Sequence, residues 1–88
     1  MRAMSKHRKT LATILNAGTR VMRYADVRAM LEHAGFELRT GGGSGVKFYH
    51  REHKLYLMFH SPHPSPEIKG GALTAVREFC ANHKELFK

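Results

Sequence analysis

The stretch Gly41–Gly71, GGGSGVKFYHREHKLYLMFHSPHPSPEIKGG, constrains this chain more than any other. Val46, Phe48 and His50 alternate with Lys47, Tyr49 and Arg51, and Leu55, Leu57 and Phe59 alternate with Tyr56, Met58 and His60. A period of two puts successive side chains on opposite faces of an extended strand, so these segments and the polar turn between them read as an antiparallel hairpin. Its apolar face, Val46, Phe48, Leu55, Leu57 and Phe59, needs a cover. The other face presents Lys47, Tyr49, Tyr56, Met58 and His60 to solvent or to a partner. Four of the chain's seven histidines, His50, His53, His60 and His63, lie in this one stretch.

The flanks supply helices. From Ser5 to Ala17, Leu11, Ile14 and Leu15 fall at helical spacing, with Ser5 as the cap and Gly18 as the stop. Lys6, His7, Arg8 and Lys9 crowd the positive end of that helix dipole, where cations are unfavourable, so the cluster reads as a frayed tip, solvated or facing an anion. A second helix from Arg23 or Tyr24 to Ala34 carries the stripe Val27, Met30, Leu31 and Ala34, and Gly35 takes its left-handed end. Phe36 and Leu38 then alternate with Glu37 and Arg39 in a first strand that runs into the glycines. Pro62, Pro64 and Pro66 exclude strand pairing and helix through Pro66. The last helix starts near Gly71 or Ala72, with Leu73, Val76, Phe79, Cys80, His83 and Phe87 on or near one stripe. The expected order is α-α-β-β-β-α, an α+β fold with helices on one face of a three-stranded antiparallel sheet and the other face open.

At 88 residues the chain reads as one domain with a single-layer core. Fifteen Lys and Arg against seven Asp and Glu give a formal charge of +8, which points to a polyanion and to nucleic acid first. The competing reading is a basic solubilising surface, or one neutralised by an acidic partner protein. The longest apolar run, Leu55–Phe59, is far short of the ~20 residues of a spanning helix, so no membrane crossing is expected. Cys80 is the one cysteine and no signal-peptide pattern opens the chain, which makes a reducing cytoplasm the expected location.

Three stretches, VRAMLEHAGFEL, GGGSGVKF and HSPHPSPEIKGGALTAVREF, resemble in this order and spacing the HicA toxin family of type II toxin–antitoxin systems. The resemblance covers residues 22–83 as the core and leaves residues 1–18 as an extra N-terminal helix. It implies a double-stranded-RNA-binding-domain-like fold, an mRNA interferase activity and a HicB-like antitoxin that holds the toxin inactive. The family carries Gly-Ser-His at the start of the hairpin, with that histidine taken as catalytic; the matching residues here are Gly43, Ser44 and Gly45.

A metal-independent ribonuclease needs a base for the ribose 2′-hydroxyl, an acid for the leaving oxygen and cations for the phosphorane-like transition state. With no imidazole at position 45, His60 and His63 are the catalytic candidates, each also readable as an ordinary strand-end or turn residue. Lys47, Arg51, Lys54 and Lys69 surround the hairpin as RNA-backbone contacts, and Tyr49 and Tyr56 are the base-stacking or ribose-contacting candidates. The same tyrosines suit a protein-docking surface. Glycines 41–43 and 70–71 offer backbone N–H groups to phosphate. His50-x-x-His53 and His60-x-x-His63 have metal-ligand spacing, but structural zinc mostly takes thiolates and none is near, so no metal or other cofactor is expected. Cys80 reads as a packed small hydrophobe. The rival function is a catalytically inactive RNA- or protein-binding module on the same fold, with Gly45 marking the loss of the enzyme.

Overall fold

A computed structural model describes residues 6–39, 45–60 and 66–87. Helix α1 spans Lys6–Leu15, strand β1 Val21–Arg23, α2 Tyr24–His33, β2 Phe36–Arg39, β3 Gly45–His50, β4 Leu55–His60, β5 Glu67–Lys69 and α3 Gly70–Asn82, and a 3₁₀ turn closes Lys84–Phe87. The expected α+β architecture is present, with β2, β3 and β4 in one antiparallel sheet in that order. Its register pairs Phe36 with His50 and Leu38 with Phe48, and on the other side Phe48 with Leu57 and Val46 with Phe59.

Alternation decides which face is covered. Phe36, Phe48, Leu57 and Phe59 are buried, while Lys47, Tyr56, Met58 and His60 are exposed. The helices pack on the buried side: α2 lies against β2, α3 against β4, and α1 rests on both helices. Val27, Met30 and Leu31 of α2 and Leu73, Val76 and Cys80 of α3 meet Phe48 and Ile14 in one core. The core stripe of α3 reaches Phe87 as expected, but the helix itself stops at Asn82. The chain turns at His83 into the 3₁₀ segment, and Phe87 still stacks on Phe36 with ring centroids 6.0 Å apart.

Two strands escape the sequence reading. β1 and β5 pair antiparallel, Val21 with Lys69, Met22 with Ile68 and Arg23 with Glu67, in a separate two-stranded sheet. Three-residue strands show no period; what fixes them is burial of Met22 and Ile68 beneath the ribbon. Pro66 has no N–H to give, yet its carbonyl accepts from Tyr24 N–H at 2.7 Å, so pairing begins one residue beyond the last proline.

α1 is shorter than its apolar spacing suggests. Asn16 takes over at its end, accepting from Gly18 N–H on Oδ1 at 2.8 Å. The Ser5 cap expected at its start lies outside the described residues. Arg77 of α3 then fastens the region, donating from Nε to the Ile14 carbonyl and from Nη2 to the Thr19 carbonyl, each at 2.7 Å.

Candidate nucleic-acid interface

The open face of the three-stranded sheet is laid out in cross-strand rows by its register. One row is Glu37, Tyr49, Tyr56; the next is Arg39, Lys47, Met58; the third pairs Gly45 with His60. Opposed residues on one face of an antiparallel pair have Cβ atoms ~5 Å apart, so the first two rows are lines of neighbouring side chains. The Tyr49 and Tyr56 rings lie 4.5 Å apart at 32°. The Arg39 guanidinium sits 5.1 Å from the centre of the Tyr49 ring, and Lys47 Nζ 5.1 Å from that of Tyr56. Each exposed cation–π contact is worth only ~0.5–1 kcal/mol, but together they hold cations over aromatic faces and keep both within reach of a ligand.

Glu37 is the one acidic group in these rows, and it is already engaged: Oε1 meets Arg39 Nη2 at 3.2 Å and Oε2 meets Arg51 Nη2 at 3.3 Å. The face therefore stays basic. Tyr56 and Met58 are 54% and 63% exposed, large apolar surfaces in the middle of that charge. Cations, paired phenols and exposed apolar area on an open sheet face suit a single-stranded polyanion with bases to stack.

Of the residues singled out from the sequence, Lys47, Tyr49, Tyr56 and His60 share this face. Arg51 and Lys54 stand on the hairpin turn at the Glu37–Tyr49–Tyr56 end, Lys54 with a φ of 54°. Lys69 does not join them: it is on β5, opposite Val21 in the two-stranded sheet. His63 and the glycines 41–43 lie outside the described residues. Arg39 is a residue the sequence reading left out, although the alternation of Phe36 and Leu38 with Glu37 and Arg39 already placed it on the open face.

His60 faces Gly45 directly across β3 and β4. Gly45 does not need to be glycine: a Cβ built there meets nothing within 4 Å, and its φ is not among the positive ones. The fold thus accepts a side chain at position 45, and His60 stands opposite it on the neighbouring strand of the same row.

Among the described residues, the two paired-histidine spacings are split between the faces of the sheet, His50 on one and His60 on the other. His50 is buried on the covered face; His53 N–H donates to its Nδ1 at 3.2 Å, so Nε2 carries the proton and donates to the Ala34 carbonyl at 3.1 Å. Both ring nitrogens are spent on backbone, although His50, Glu52 and His53 hold donor atoms within 4.8 Å of one another. His60 is at the far end of β4, about 16 Å along the strand from the turn at ~3.3 Å per residue, and on the opposite face. Cys80 is buried among α3's core contacts, and burial pushes its thiol up to about 12, so it stays a protonated, unreactive hydrophobe.

The family model for the HicA toxin of bacterial toxin-antitoxin matches residues 24–84. The chain belongs to the HicA toxin family. The match opens at Tyr24, the first residue of α2, and takes in the whole three-stranded sheet, β5 and α3, leaving α1 and β1 outside it. No curated protein and no solved structure matches the chain. Membership in the HicA family makes it a toxin of a toxin–antitoxin system, paired with an antitoxin. Among the described residues no helix is long and apolar enough to cross a membrane.

Proposed function

We propose that this HicA-family chain is a cytoplasmic, metal-independent endoribonuclease that cleaves mRNA on the open face of its sheet, and that a HicB-like antitoxin neutralises it by covering that face. The arrangement of helices on one side of a three-stranded antiparallel sheet supports a double-stranded-RNA-binding-domain-like fold. The single observation that carries the catalytic reading is the pairing of Gly45 with His60. In this reading His60 supplies an imidazole from β4 in the same cross-strand row as position 45.

The chemistry follows from the groups on the rows. Imidazole as a class exchanges protons near neutral pH, while amines and phenols do not, so His60 is the base for the 2′-hydroxyl. The 2′-oxygen attacks the adjacent phosphorus and the bond to the 5′-oxygen breaks; His63, three residues beyond β4, is the candidate acid for that leaving oxygen. Lys47 and Arg39 stand next to the Gly45–His60 row and steady the charge that builds on the phosphorane. Tyr49 and Tyr56 stack flanking bases, and Arg51 and Lys54 extend the backbone contact past the turn, with Lys69 on the second sheet.

Gly45 in place of the family's histidine favours one other reading, a binding module that has lost cleavage. Expression of the chain without its antitoxin separates the two: arrested growth, with RNA cut by the purified chain in the presence of chelator, is the expected result. Intact RNA that is nevertheless bound, and cells that keep growing, would establish the binding module instead.

A further inference from the structure

α1 lies outside the stretch that the HicA family model matches, yet it carries a dense run of cations, Lys6, Arg8 and Lys9, and no acidic residue. Between α1, β1 and the start of α2 runs an open cleft of about 340 Å³, lined by Lys6, Lys9, Thr10, Arg23 and Asp26, with Val21 at its edge. Asp26 is already paired with Lys6 at 3.8 Å, so three cations face the cleft against one carboxylate. Thr10 donates its hydroxyl to the Lys6 carbonyl and Thr13 to the Lys9 carbonyl, which leaves the cations as the donors to anything that enters. Val21, 45% exposed, adds an apolar edge.

The two-stranded sheet ties this cleft to the cation the open sheet face did not collect. Met22 and Ile68 point inward, so Val21, Arg23, Glu67 and Lys69 share the outward side of the ribbon, with Lys69 directly opposite Val21 and Glu67 opposite Arg23. The cations of cleft and ribbon together, Lys6, Lys9, Arg23 and Lys69, still outnumber the carboxylates, Asp26 and Glu67. We propose that the α1–β1 cleft and the outward side of this ribbon form a second RNA-backbone site, which takes the same strand at nucleotides beyond those on the open sheet face. The inference rests on the RNA reading of that face. Cations from three separate elements, spread along a ribbon and a cleft rather than converging on one point, match a ligand whose charge repeats at every nucleotide. α1 tolerates its crowded cations better with that ligand in place, since phosphate offsets their repulsion from the helix dipole. A short acidic segment of a partner protein is the competing occupant.

The test compares a labelled RNA of about 20 nucleotides with one of about 4, the lower limit for a single site on a flat nucleic-acid-binding surface. Lys9→Gln with Arg23→Gln should weaken the longer RNA by about tenfold at low salt and lower the slope of log affinity against log salt by about 1.4, two phosphate contacts at ~0.7 each. Affinity for the shorter RNA should stay within twofold, which also certifies the fold of the variant. Unchanged affinity and slope for the longer RNA, or equal loss for both lengths, overturns the inference while the open-face reading stands. Loss of antitoxin binding with RNA binding intact also overturns it and assigns the cleft to protein. An unsubstituted chain that binds neither RNA removes the parent reading, and this one falls with it.

Discussion

His50 and Gly35 fix one another. Gly35 has a φ of 104°, and a Cβ there would come within 2.8 Å of His50 Nε2, the atom that donates to the Ala34 carbonyl. One imidazole thus fastens the end of α2 to the β3–β4 turn, and the backbone under it must stay bare. Gly35→Ala meets both a disfavoured φ and that contact, so urea unfolding should show a loss of about 1–3 kcal/mol. Cys80 makes a different kind of statement. The unfolded thiol ionises near its ordinary 9.0, whereas burial holds it protonated in the fold up to about 12. Over that window the folded chain binds the extra proton, so this contribution is complete below pH 9.0 and is lost as pH rises toward about 12. Stability measured against pH should fall less steeply in that range for Cys80→Ala than for the unsubstituted chain. Tyr24, raised in the same direction chiefly by burial, contributes equally to both proteins.

At the scale of elements, Arg77 ties α3 to α1 through the Ile14 carbonyl and to the loop after α1 through the Thr19 carbonyl. Arg77→Ala leaves the Ile14 and Thr19 carbonyls without that donor, so amide exchange in α1 should accelerate by about tenfold or more while the β3–β4 hairpin keeps its protection. That hairpin was legible in the sequence because six-residue strands alternate long enough to show their period. β1 and β5 were not: three residues carry no periodicity, and the prolines before β5 read as a stop rather than as the lead-in to a strand. Sequence proximity alone therefore sets Lys69 with the hairpin cations, whereas its strand pairs with Val21–Arg23. The opposition of His60 and Gly45 depends on the four residues of the turn, 51–54, which set the register. Alternation assigned His60 its face, but only register gives its neighbour. His50 illustrates the converse, since its spacing to His53 suggested a metal ligand and its burial makes it a backbone clamp.

At the scale of the whole molecule, part of the +8 on 88 residues gathers on two surfaces, one on the open sheet face and one around α1. If RNA and antitoxin compete for the sheet face, Lys47→Glu should weaken both by about tenfold, the first read by anisotropy and the second by calorimetry. An antitoxin complex untouched by that charge reversal would separate the two sites. The central claim is narrower: cleavage happens over the Gly45–His60 row. Its most direct measurement is RNA cleavage by His60→Ala and by the same chain with Gly45→His added, in the presence of chelator. His60→Ala should lose about 10²-fold or more of the rate with RNA affinity kept, and Gly45→His should restore cleavage by returning an imidazole to the same row from the neighbouring strand. Full cleavage by His60→Ala, or no recovery in a folded double variant that still binds RNA, would contradict it.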